Sequence, residues 1–173
     1  MPRPIVNIAD LEFREFGHRV SYPGATDAPE KFEARLGDIG RRLGAQKLGY
    51  NLTVVPPGKQ AFPFHSHRAN EEMFFVLEGE GEVRIGAERH PIKQGDVIAC
   101  PAGGPETAHQ IVNTSNAELK YLAVSTRLSP EVCDYPDSAK FGVYAEVVSV
   151  DGKPQLFRFV NRTESSLNYW DGE

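Results

Sequence analysis

The sequence predicts an all-β domain, a sandwich or closed barrel of short strands, on three observations. From Gly58 to Arg127, β-rich stretches recur with turn signals between them: QAFPFHSH, EMFFVLEG, EVRIGAERHPI, DVIAC, HQIVNTS and LKYLAVST. The chain carries 16 Gly and 13 Pro without low complexity, which suits a fold with many turns. Neither GxGxxG before a helix nor GxxxxGK(S/T) occurs, so the signatures of nucleotide-binding α/β folds are absent. At 173 residues the chain suits one domain with a substantial core.

Taken in order, Met1 to Glu30 reads as an arm lying over the barrel or a partner subunit. VNIADLEF offers it a short strand and SYPGATDAPE a loop. In the next segment Phe32, Leu36, Ile39 and Leu43 have helical spacing. Gly37, Gly40 and Gly44 each penalise a helix by about 1 kcal/mol, so a strand over 32–36 and then a turn is favoured. Residues 45–55 then form a strand stopped by Pro56-Pro57. On the strand 72–77 both faces are apolar. Phe74 and Val76 share the Glu72 face and fill the barrel; Met73, Phe75 and Leu77 need a second layer, from the chain's own termini or from a homodimer. Beyond Leu128 come a loop, SPEVCDYPDSAKFG, and a hairpin of VVSV and QLFRFV on Asp151-Gly152. The tail holds Tyr169 and Trp170, an aromatic pair expected to dock on the body. The whole is one domain, 1–173: an arm at 1–44, a barrel core at 45–127 and a C-terminal extension at 128–173.

A net charge of −5, with no run of like charges, argues against nucleic acid and anionic membrane surfaces as partners. Nineteen basic residues still leave room for a local anion site. With no signal peptide and no long apolar stretch, a reducing cytoplasm is the default location, and Cys100 and Cys133 are expected as free thiols. Cys100, in an apolar strand, reads as inert packing. His18 and His90 read as isolated surface residues, and the sequons at Asn51, Asn113 and Asn161 as chance.

The chemistry concentrates in PGKQAFPFHSHRANEEMFFVLEGEGEVRIG. On a strand His65 and His67 face the same way. Residues 68–71 offer a turn and Glu72 opens the returning strand, so a hairpin would bring two imidazoles and a carboxylate together. That is a ligand set of zinc and of iron, manganese, nickel or cobalt. In GDVIACPAGGPETAHQIVN, His109 comes after a long loop and opens an apolar strand, as a fourth ligand would. Lys59, Gln60, Arg68, Glu106 and Thr107 flank these histidines and would meet a substrate if the loop folds over the metal.

These two stretches resemble the paired motifs of the cupin superfamily. Gly58, His65, His67, Glu72 and Gly79 match the first, with one extra residue between Gly58 and His65; Gly95, Pro101, Gly103, His109 and Asn113 match the second. The Gly103–His109 gap holds five residues where the family pattern has two, a departure at the pocket mouth. The resemblance covers roughly residues 48–127 and implies a double-stranded jelly-roll barrel with one divalent metal on His65, His67, Glu72 and His109. Four protein ligands on a six-coordinate ion leave two positions for a hydroxy-ketone, keto acid or diol. The implied function is a metal-dependent protein acting on a small polar molecule, of sugar-phosphate isomerase type. An Fe-dependent dioxygenase and a non-catalytic binding or sensor module are the alternatives.

Overall fold

The computed structural model describes residues 4–18, 20 and 28–173. In chain order its strands are β1 (Phe13–Gly17), β2 (Glu33–Asp38), β3 (Leu48–Val55), β4 (Ser66–His67), β5 (Glu72–Glu78), β6 (Glu80–Ile85) and β7 (Glu88–Lys93). They continue with β8 (Val97–Cys100), β9 (His109–Val112), β10 (Leu119–Thr126), β11 (Glu131–Tyr135), β12 (Lys140–Val148) and β13 (Pro154–Arg162). One sheet has the order β1-β2-β3-β10-β5-β8, the second β13-β12-β11-β4 and the third β7-β6-β9, with every pairing antiparallel. This is the expected all-β jelly-roll barrel with extensions at both ends.

Alternation along the strands builds the core. Phe74, Val76, Tyr121 and Ala123 point from the six-stranded sheet toward Val83, Ile92 and Ile111 of the three-stranded sheet. Each fully buried aliphatic side chain of this kind contributes about 1.5–3 kcal/mol, so the core holds the barrel closed. Leu52, Leu77 and Leu122, of opposite parity, lie on the outer face and are covered by Val6, Leu11 and Ile39. The second layer over Leu77 therefore comes from the chain's own N-terminal segment. Gly79 links β5 to β6 at φ 86°, and a Cβ there would lie 2.4 Å from the Glu118 carbonyl oxygen.

Several expectations need correction. In the arm, the strand expected over VNIADLEF is a 3-10 turn at Ile8–Asp10, capped by the Asn7 side chain, and β1 then joins the large sheet as its edge. Most of the loop expected over SYPGATDAPE lies outside the described residues. The strand after Phe32 is present as β2, but the turn expected after it is a single turn of α-helix, Gly40–Leu43. EVRIGAERHPI is the β6–β7 hairpin rather than one strand. SPEVCDYPDSAKFG is not a loop: it contains β11 and opens β12. The hairpin on Asp151-Gly152 forms as expected between β12 and β13. Tyr169 and Trp170 do not dock; they pack edge-to-face on each other at 4.8 Å and remain exposed.

Candidate metal centre

The site forms where strands of different sheets meet. His67 lies on β4, which pairs with β11, and His65 just before it forms a bridge to His109 at the start of β9. Glu72 opens β5 in the six-stranded sheet. The histidine pair and Glu72 are thus not the two arms of a hairpin, as the sequence suggested. The segment between them crosses from one sheet to another, yet all four side chains converge.

Glu72 is the hub. Its Oε2 accepts a hydrogen bond from His109 Nε2 at 2.9 Å and lies 3.4 Å from His67 Nε2 and 3.8 Å from His65 Nε2. The His65 ring centroid is 4.8 Å from that of His109 and 5.0 Å from that of His67. Glu71, its neighbour, is exposed. The far sides of two rings fix their tautomers. His65 Nδ1 is 2.8 Å from the Pro63 carbonyl, an acceptor only, so this nitrogen carries the proton. His67 Nδ1 faces Cys133 Sγ at 3.3 Å and Glu131 Oε2 at 3.4 Å. With Nδ1 as donor, each ring in its neutral form turns an Nε2 lone pair toward Glu72. His67 Nε2 is buried without a hydrogen-bond partner. An inward-facing nitrogen left so, beside a carboxylate and two more imidazoles, fits a transition metal. Ligand atoms of His65, His67 and Glu72 all lie within 4.8 Å of one another.

The electrostatics fit a cation at this point. Burial opposes charge on Glu72, but the hydrogen bond from His109, the nearby His67 nitrogen and the imidazolium charge hold its carboxyl well below the usual carboxylate range. Burial, with the neighbouring His109, lowers His65 to about 4. His67 goes the other way. Burial lowers it, but the contacts to Cys133 and Glu72 outweigh that and raise it to about 10.

A ring of support comes from β11. Glu131 is buried, and its carboxylate accepts hydrogen bonds from the backbone N–H groups of Arg68 (3.1 Å), Ala69 (3.1 Å), Asn70 (2.9 Å) and Val132 (2.8 Å). The Asn70 side-chain amide donates to it as well. Residues 68–70 are the crossing between His67 and Glu72, so one carboxylate holds the segment that spaces two of the candidate ligands. Burial raises the Glu131 carboxyl, but the donors of Ala69 and Asn70 outweigh it and depress it overall. Sequence reasoning missed Glu131, Cys133 and Tyr135. The signal available was their period of two, which puts all three on one face of a strand.

A cleft of about 280 Å³ opens on the cluster, bounded by Ser125 and Thr126 of β10 and by Tyr135 and Tyr144. The two phenols hydrogen-bond each other at 2.8 Å, and the Tyr135 ring stacks on His65 at 6.2 Å. None of Lys59, Gln60, Arg68, Glu106 and Thr107 borders this cleft. Lys59 turns to Glu30 and Glu33, Arg68 pairs with Asp134 at 2.8 Å, and Glu106 and Thr107 bond to Gly104. Cys100 is buried, and burial with the nearby Glu72 pushes its thiol up to about 12, as inert packing requires. Both cysteines are free. Asn113 is fully buried, with its amide nitrogen bonded to the Val55 and Ala117 carbonyls, which leaves no place for a glycan.

A jelly-roll barrel with three imidazoles and one carboxylate at its mouth defines a class. Residues 51–125 match the cupin domain family, and the fold is that of a cupin-superfamily structure. Over nearly its whole length it is similar to the crystal structure of a cupin-superfamily sugar phosphate isomerase from Silicibacter pomeroyi. That match has 27% identity and a TM-score of 0.75, covering 97% of this chain and 98% of the other. A candidate sugar phosphate isomerase from Acidithiobacillus ferrooxidans matches with 25% identity and a TM-score of 0.68, covering 87% and 86%. The oxalate-binding protein of Thermotoga maritima is 37% identical over 70 residues, 40% of this chain and 54% of that protein. The chain spans about half the length of the first curated relatives it matches. Among the described residues no helix is long and apolar enough to cross a membrane.

Proposed function

We propose that this chain is a metal-dependent enzyme acting on a small polar hydroxy-carbonyl compound, in the manner of a sugar-phosphate isomerase. His65, His67, Glu72 and His109 would hold one divalent ion, Zn, Mn, Fe, Ni or Co. The observation that carries the reading is the convergence of three imidazoles on the Glu72 carboxylate, with His65, His67 and Glu72 lining an open cleft. A divalent ion bound there supplies Lewis acidity toward a carbonyl or hydroxyl oxygen. The protein's own groups do the rest. Ser125 and Thr126 border the opening, and Glu131 fixes the ligand segment. Tyr135, raised by burial and by its bond to Tyr144, keeps its phenolic proton at neutral pH and can donate it to a substrate oxygen. Similarity to the Silicibacter pomeroyi isomerase over almost the full chain supports the choice of reaction.

A second reading is a binding module without turnover. The relative from Thermotoga maritima binds oxalate by its name, and a 280 Å³ cleft has room for so small a chelating dianion. The homodimer stays part of the proposal, seated on the C-terminal hairpin, where Phe157 and Phe159 are exposed on one face of β13; a monomeric mass by light scattering removes it. The function is tested with metal-supplemented protein and a panel of aldose and ketose phosphates monitored by NMR. Interconversion of an aldose–ketose pair is the expected result. Oxygen uptake with Fe²⁺ points instead to a dioxygenase, and saturable oxalate binding without any turnover to the binding module.

A further inference from the structure

A second, larger cavity lies behind the metal cleft, and the site described above does not use it. It measures about 690 Å³ and is bounded by the N-terminal strand, the lead-in to His65 and the C-terminal hairpin. Its wall is aromatic: Phe16, Phe32, Phe62 and Phe64 border it, with Phe16 and Phe62 in contact at 5.0 Å. Leu156 and Val160 of β13 face it from the hairpin. The Tyr135–Tyr144 pair borders both cavities and so forms their common wall.

The charges around this cavity do not balance. Lys31, Lys140 and Arg158 all border it, and among the described residues none of the three has a carboxylate partner. Each lies near an aromatic ring instead: Lys31 at 5.2 Å from Phe32, Lys140 at 5.7 Å from Tyr135 and Arg158 at 5.9 Å from Tyr144. The one acid on the wall is Asp137, and both its oxygens are taken by Arg84, at 3.0 and 2.8 Å. Arg84 itself lies flat over Phe64 at 3.6 Å. Strand register gathers the hairpin's share: Arg158 stands directly opposite Tyr144, and Lys140 and Tyr144 are an even number of residues apart on β12. In a chain of net charge −5, three cations thus border one aromatic cavity whose single acid is already taken.

We propose that this cavity is a metal-independent binding site for a small anion with an aromatic or apolar body, an aryl phosphate or aryl carboxylate in chemical class. The phenylalanine wall takes the body, and Lys31, Lys140 and Arg158 take the anionic group by charge-assisted hydrogen bonds. The chemistry differs from that of the metal cleft, whose floor offers imidazoles and a carboxylate. It does not depend on the isomerase reading.

The test is calorimetric titration of the full chain, with chelator-treated protein and with Zn²⁺ restored. The probes are phenyl phosphate, benzoate, benzyl alcohol and inorganic phosphate. One aromatic anion should bind the chelated protein saturably at one per chain, and the better of the two identifies phosphate or carboxylate as the preferred head. Benzyl alcohol and inorganic phosphate should bind roughly tenfold more weakly or not at all, since each lacks one half of the match. Lys140→Ala and Arg158→Ala, both at exposed positions, should each weaken binding roughly fivefold or more while leaving circular dichroism and metal content unchanged. Equal affinity in parent and variants, or equal affinity for benzyl alcohol, overturns the proposal. So does binding that appears only when Zn²⁺ is present, because the anion then sits on the metal. A protein that takes up no metal yet binds the probe would remove the metal reading and leave this one standing.

Discussion

The barrel strands and the C-terminal strands make unlike contributions to one site. β5, β9 and the residues around β4 supply the four atoms that face the centre. β11 and β12 supply no inward-facing ligand but hold the crossing segment, back the His67 ring and wall the cleft with phenols. The labour divides between binding and placing. On the proposed metal reading, the first region would determine which ion and which ligand chemistry, and the second whether His67 and Glu72 stand at the right separation. Substitutions in the two regions should therefore fail differently.

The largest effect should come from the barrel side. Glu72→Gln removes the only negative charge among the four and leaves three imidazoles facing an amide. Metal affinity should fall roughly a hundredfold or more, beyond the 10–100-fold typical of supporting residues. Glu71→Gln, one residue earlier and outside the cluster, should leave it nearly unchanged. Equilibrium dialysis of both variants decides; equal losses would mean that β5 presents the other face. Removing the metal should not unfold the protein, because the apolar core of Phe74, Val76, Tyr121 and Ile111 is independent of it. Native-state binding at 1,000 times Kd adds about 4 kcal/mol. The chelated protein should thus melt earlier but still cooperatively, with β-type circular dichroism. Loss of all β-structure on chelation would make the site structural.

On the C-terminal side Glu131→Gln is the matching experiment. The amide keeps the shape but loses the charge that backbone donors of 68–70 point at, and its NH₂ faces other donors. Hydrogen bonds to a buried charge contribute about 1.5–3 kcal/mol, so the melting temperature should fall by several degrees. Metal affinity should fall about tenfold through displaced His67. The d–d spectrum of the Co²⁺-loaded variant should shift, which general destabilisation would not produce. An unchanged spectrum with a lowered melting temperature would reduce Glu131 to a fold-stabilising role.

The two regions also differed in how far the sequence revealed them. His65, His67, Glu72 and His109 were readable because ligand residue types stood at strand spacing beside glycines such as Gly79, whose backbone no other residue adopts easily. Alternation put Glu71 and Glu72 on opposite faces, and the spacing of six residues to Gly79 selected Glu72. β11 was unreadable locally: Pro130 and Pro136 bracket it, and Glu131 and Asp134 look solvated. Glu131 is buried because donors 61 to 63 residues away converge on it, a tertiary cause with no local trace. The hairpin expected between His67 and Glu72 failed for the same reason. The segment 68–70 is satisfied by that distant carboxylate and is free to cross between sheets. Tyr169 and Trp170 misled differently, since two aromatic rings partly satisfy each other without the body.

Protons offer a gentler probe of the same boundary. With His67 raised from 6.5 to about 10, it is charged at pH 7.5 in the metal-free chain. Metal requires neutral imidazole, so uptake at that pH should release about one proton per chain, read by calorimetry in buffers of different ionisation enthalpy. The raised His67 contributes stability to the metal-free chain fully below pH 6.5, and this fades as the pH rises through about 10. The lowered His65 acts oppositely, costing stability as the pH falls from 6.5 through about 4. The depressed Glu72 and Glu131 contribute above the ordinary carboxylate range and lose that contribution as the pH falls. Replacing Cys133 with Ala should lower the His67 pKa and reduce proton release; unchanged release would mean that the Glu72 and Glu131 carboxylates hold the proton without it.

The smallest effect should come from Gly142→Ala, and it is the most discriminating. Gly142 lies under the Tyr144 ring: a Cβ there would be 2.8 Å from Cε2, 2.9 Å from the hydroxyl oxygen and 3.1 Å from Cζ of that ring. These contacts are too close for any ordinary packing, so the ring must tilt away. The 2.8 Å bond to the Tyr135 hydroxyl is then lost, at a cost of about 1 kcal/mol. Replacing glycine returns about 0.4–1 kcal/mol by restricting the unfolded chain. Net stability should therefore change by less than about 1 kcal/mol, a shift of under about 4 °C in melting temperature. No metal-facing atom moves, so metal affinity should match the parent. The wall shared by the two cavities does move, and affinity for the aryl anion should fall by a few-fold. Parallel losses of metal and anion affinity would show that the phenol pair belongs to the metal centre, and the division between a binding barrel and a placing C-terminal region would not hold at β12.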